Sequence, residues 1–154
     1  MKCMAASIVL VVTATALFAV PGEAQTETYI EYSVTGSATA SGRDGEVVMC
    51  SVSEDGLNIH SMGSWVFSFD AASAEPGEHE AQARVAAPDD VAALHDDNFR
   101  TDDRLSGDAT LVIESAGTGK ANLPLLRVRF TAKELTSATG ATIGVEGTLV
   151  CPVM

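Results

Sequence analysis

The feature that most narrows the possible folds is a period of two in the hydrophobic pattern. In Thr28–Thr35, Ile30, Tyr32 and Val34 alternate with Tyr29, Glu31 and Ser33. The same alternation places Val48, Cys50 and Val52 on one face of Glu46–Ser53, and Trp65, Phe67 and Phe69 on one face of Ser64–Asp70. In His79–Ala86 it groups Ala81, Ala83 and Val85, and in Pro124–Thr131 it groups Leu126, Val128 and Phe130. Ile143, Val145, Leu149, Cys151 and Val153 share a parity at the end of the chain. Successive side chains of a strand point to opposite faces, so these runs read as half-buried strands, apolar inside and polar outside. Leu57–Ser61 and Ala109–Ser115 read as two more.

Turn formers punctuate the runs: Gly36, Gly42–Gly45, Glu54-Asp55-Gly56, Met62-Gly63, Pro76-Gly77, Gly117–Gly119 and Gly140. Glu54-Asp55-Gly56 between two strand runs is a hairpin signal. About seven to nine short strands at this spacing predict an all-β fold, a single antiparallel β-sandwich or a small barrel. Leu135–Ser137 is ambiguous in pattern, a turn being one reading of it. One segment departs from the pattern. Pro88–Asp108 is acidic around Val91-Ala92-Ala93-Leu94, and Pro88-Asp89-Asp90 suits a helix start. A short helix followed by a polar surface loop is expected there.

The first 24 residues have the three parts of a secretory signal: Lys2, an uncharged run from Ala5 to Val20, and Gly22-Glu23-Ala24 at the exit. The run is shorter than the roughly 20 residues of a spanning helix. Cleavage after Ala24 would leave residues 25–154 as one domain, beginning at Gln25 and carrying no later membrane span. Export places the chain in the periplasm or outside the cell. Cleavage removes Lys2 and Glu23 together, so the net charge stays at −12. Such a surface repels nucleic acid and anionic lipid, which are held through basic patches.

Cys50 and Cys151 are the cysteines that survive cleavage. Both have inward parity, and an oxidising compartment favours a disulfide between them. Their separation is not that of a C-x-x-C catalytic dithiol.

Chemistry-bearing motifs are sparse. His60 has the polar parity of its strand, His79 stands between Glu78 and Glu80, and His95 adjoins Asp96 and Asp97. No two of them have a metal-ligand spacing. Ser64 and Ser106 lie near glycines without forming a nucleophile elbow, and both read as turn serines. The acids are so numerous that carboxylate pairs carry no information about glycoside hydrolysis. No catalytic residue, cofactor or metal ligand is therefore assigned. A non-enzymatic binding protein is the preferred reading, with an unidentified protein or envelope component as partner. The alternative is a hydrolase with an unrecognised carboxylate or metal site. Trp65, Phe67 and Phe69 have core parity, which leaves Tyr29 as the surface aromatic and disfavours sugar binding. In Asp89–Asp108, Asp96, Asn98 and Asp102 have a loose likeness to a Ca²⁺ loop, but Arg100 falls where an oxygen is wanted and no glycine makes the sharp turn. Acidic surface is the preferred reading of that segment.

Overall fold

The computed structural model describes residues 27–45, 47–91, 94 and 104–154. Its strands are β1 (Tyr29–Gly36), β2 (Ala40–Asp44), β3 (Val47–Ser53), β4 (Gly56–Met62), β5 (Val66–Ala71), β6 (Gly77–Ala86), β7 (Arg104–Thr118), β8 (Pro124–Thr136) and β9 (Thr142–Pro152). They form one antiparallel sheet in the order β2-β1-β9-β8-β7-β6-β5-β4-β3. From β3 to β9 each strand pairs with the next; β1 then adds to β9, and β2 to β1.

The two edge strands, β2 and β3, are consecutive in the chain and are separated only by positions 45–46. The outer edge of β9 is shared between β1 and β3. Ile143 to Val150 pair with β1, and beyond that point Cys50 of β3 makes a parallel bridge to Val153. The Met154 N–H donates to the Cys50 carbonyl at 2.9 Å, and the Val52 N–H to the Met154 carbonyl at 3.4 Å. The sheet therefore curls far enough for its edge strand β3 to reach the tail of β9. The chain adopts the small-barrel form of the expected all-β fold rather than two packed sheets, because each strand from β3 onward returns directly beside its predecessor.

The interior is filled with side chains. Phe67, Phe69 and Phe130 are fully buried, and Tyr32 is 7% exposed. Ring centroids are 5.0 Å apart for Tyr32 and Phe67, and 4.9 Å apart for Phe69 and Phe130. Rings of this size need small residues opposite them in so narrow a barrel. Gly147 pairs with Phe130 on one side and Tyr32 on the other, and a Cβ on it would stand 2.6 Å from Phe130 Cζ. Gly42 pairs with Tyr32, and a Cβ there would stand 2.7 Å from the phenol oxygen. Gly42 is thus a strand residue inside β2, which corrects its reading as part of a turn: the space was reserved for Tyr32.

A one-residue bulge explains a second departure. Thr131 and Thr136 of β8 pair with Thr110 and Ser106 of β7, so five steps along β8 match four along β7. The slip repeats against β9, where Ala132 and Leu135 pair with Val145 and Ile143. Lys133 and Glu134 both face outward, and the buried parity resumes at Leu135. Leu135 and Thr136 therefore continue β8 instead of forming a turn. The extra residue reverses the phase of the alternation, as a bulge does, and so hides the strand from a period-two reading. Gly107 of β7 makes room for it, since a Cβ there would approach the Glu134 carbonyl oxygen to 2.5 Å.

The expected surface excursion ends earlier than its sequence suggested, because β7 starts at Arg104 and Leu105 is fully buried. At its beginning, the Val91 N–H donates to the Pro88 carbonyl and the Leu94 N–H to the Val91 carbonyl, each at 3.0 Å. Leu94 is buried in the core. The intervening positions that carry His95, Asp96, Asp97, Asn98, Arg100, Asp102 and Asp103 lie outside the described residues, as do residues 1–24, where a secretory signal is expected.

Candidate functional site on the outer face

Cys50 and Cys151 lie at disulfide distance, with their Cα atoms 5.7 Å apart, and both are fully buried. They staple β3 to β9 at the seam where the sheet closes. This is a structural position, sealed from any substrate.

The outer face is polar. Alternation turns Asn58, Asp70, Gln82 and Asp108 outward, and the register sets them directly opposite one another across β4, β5, β6 and β7. The Asn58 amide donates to Asp70 Oδ1, Arg84 Nη2 lies 3.4 Å from Asp70 Oδ2, and Gln82 Nε2 donates to Asp108 Oδ1 at 2.5 Å. Glu80, Thr110 and Thr131 form a neighbouring row. An open groove of about 820 Å³ runs over β5 to β8 between these rows, lined by Asp70, Glu80, Asp108 and Glu134 together with Lys133, Gln82 and three threonines.

The hollow has a cause in the sequence. The inward residues beneath it are the small ones, Ala81, Ala83, Gly107 and Ala109. Ala81 and Ala109 themselves line the hollow, so its floor is made by short side chains. The β8 bulge then turns Lys133 and Glu134 together into the groove. Asp70 and Asp108 are held by the amides and Arg84, whereas Glu80, Glu134 and Lys133 have no hydrogen-bond or ion-pair partner among the described residues. A smaller hollow of about 500 Å³ lies across β8, β9, β1 and β2, over Gly147, and meets the first at Thr131.

The residues considered for catalysis are dispersed. His60 Nδ1 hydrogen-bonds Ser68 Oγ at 2.9 Å on the outer face of β4 and β5. No carboxylate hydrogen-bonds that histidine among the described residues, and neither side chain lines the groove. His79 Nε2 hydrogen-bonds the Glu75 carbonyl at 2.7 Å. Ser64 is exposed between β4 and β5, and Ser106 is exposed on β7. Trp65 is buried in the core, 3% exposed. Tyr29 is partly exposed, with the Arg43 guanidinium 4.2 Å above its ring. Among the described residues, no group of three or more His, Cys, Asp or Glu stands close enough to hold a metal ion. Nor is any helix there long and apolar enough to cross a membrane.

At the barrel end, Asp44 of β2 has inward parity opposite Ile30, and its Oδ2 is buried with no hydrogen-bond partner among the described residues. Burial, and secondarily the Asp44 charge, pushes the Tyr32 phenol above its ordinary range. Neither the groove nor Asp44 is legible in the sequence alone. Each groove residue is merely the polar half of an alternation, and Asp44 stands among the turn formers Gly42–Gly45. The available signal was the Ala81–Ala83 inner face of β6, where larger apolar residues would have been expected.

Comparison of the chain with protein-family models, with curated proteins and with solved structures finds no match.

Proposed function

We propose that this is a non-enzymatic exported binding protein that takes its partner, a protein or an envelope component, on the outer groove of β5 to β8. The observation that carries this reading is the groove itself: an 820 Å³ hollow on the sheet, with Lys133 and Glu134, which have no charged partner among the described residues, turned into it by a bulge. Bulges re-aim side chains and are over-represented beside functional sites. The groove is supported from below by packed strands, as a binding surface requires. The barrel interior is occupied by Phe67, Phe69 and Phe130, so binding is assigned to the outside. The outer face carries Asp70, Arg84, Asp108 and Arg129 over an apolar inside, which is the reverse of a lipid-facing barrel. The Ser68–His60 hydrogen bond sits outside the groove, which favours a structural role for that pair over a hydrolase.

The test compares the immobilised mature domain with a Glu80→Lys/Glu134→Lys variant in capture from the native envelope or medium. A partner retained by the first and lost by the second supports the reading. The same set of bound proteins on both overturns it.

A further inference from the structure

Resting on that reading, we infer that the groove's occupant is a cationic polypeptide segment carrying lysine or arginine side chains. The argument is one of charge complementarity on an unpartnered sheet face. Asp70, Glu80, Asp108 and Glu134 line the groove with Lys133 as the one cation among its lining residues. Two of these acids are already neutralised in part: Asp70 meets Arg84 and Asn58, and Asp108 meets Gln82. Glu80 and Glu134 have no such partner among the described residues, and they belong to strands on either side of β7. They present two separated negative charges: Glu80 heads the row Glu80–Thr110–Thr131 across β6, β7 and β8, and Glu134 stands three residues beyond Thr131 on β8. Threonine hydroxyls donate to and accept from the peptide groups of a chain laid across them.

The shape selects a chain rather than a small amine. Small ligands are held where most of their surface is buried, in enclosed and largely apolar pockets. This groove is open and polar, so one ammonium in it stays hydrated and gains little. A segment with several spaced cations gains repeatedly from each fixed carboxylate, and its approach is assisted by the net charge of −12. Such binding weakens with salt, because exposed charges are screened over roughly 8 Å at physiological ionic strength.

The experiment titrates the mature domain with an oligolysine peptide, the same peptide with acetylated side chains, and spermine, at low and high salt. The peptide is expected to bind at low salt and the acetylated one not. Glu80→Gln with Glu134→Gln is expected to weaken binding about tenfold, as removal of two surface ion pairs permits. Glu54→Gln with Asp55→Asn, an equal charge change at the hairpin between β3 and β4, is expected to leave affinity unchanged. Equal weakening by the two pairs would mean that bulk charge alone binds the peptide, and would overturn the inference. So would undiminished binding of the acetylated peptide, or spermine binding as tight as oligolysine. If oligolysine fails while the captured partner still depends on Glu80 and Glu134, the cationic assignment falls and the groove remains the binding surface.

Discussion

The hydroxyl of Ser61 replaces a rung of the sheet between β4 and β5 by accepting the Phe67 N–H at 3.1 Å. The backbone ladder between these strands ends at His60 and Ser68, one step earlier. Ser61 is 1% exposed and Phe67 is fully buried, so no water replaces the bond. Ser61→Ala would leave a buried N–H unsatisfied, at about 1–3 kcal/mol. Urea unfolding is expected to show that loss as a lower midpoint with an unchanged slope. An unchanged midpoint would mean that the strands re-pair without the hydroxyl.

The cysteine pair is expected to be bonded under oxidising conditions and to matter to the stability of the fold. The cysteines are 101 residues apart, and the loop they close spans most of the described domain. The chain-entropy treatment gives a loop of this size about 4–5 kcal/mol, as an upper figure. Thiol titration of unfolded, unreduced protein should find Cys50 and Cys151 blocked, and Cys50→Ala/Cys151→Ala should unfold at markedly lower denaturant. Two free thiols in protein recovered from the oxidising compartment would contradict the pairing.

Gly107→Ala tests the bulge. The new Cβ meets the backbone oxygen of Glu134 at 2.5 Å, which no side-chain rotation relieves. Overpacking of this kind costs about 1–3 kcal/mol. Deleting Glu134 in the same chain removes the extra residue, and its recovery of thermal stability would show that the two positions act together. An unaltered Tm in Gly107→Ala alone would sink the account.

Tyr32 carries an alkaline signature. Its folded-state pKa is raised above the ordinary value of 10.0, first by burial and then by the Asp44 charge. The neutral phenol is therefore favoured by folding, and its stabilising contribution is complete below pH 10. As the pH rises further, the unfolded chain loses this proton first, and stability falls until the folded pKa is passed. Tyr32→Phe should flatten that part of the stability profile, read as Tm against pH. A profile with the same alkaline fall in the variant would assign it to other groups.

Several features of this protein follow from local chemistry. Alternation identifies most of the strands and their inner faces, since a side chain's face depends only on its parity within a strand. The inward cysteines follow in the same way. The choice between sandwich and barrel does not follow, because the same half-buried strand serves in either. It was decided by the meeting of β3 with the tail of β9 at Cys50 and Val153. The strand role of Gly42 depends on the ring of Tyr32 across the ladder, and the continuation of β8 through Leu135 depends on room left by Gly107 in a different strand. The groove is a further step removed. Its acids come from β5, β6, β7 and β8, and its floor from the short side chains of Ala81 and Ala109. Only the register of neighbouring strands brings those residues together, and register is a property of the folded sheet, which no single stretch of the chain contains.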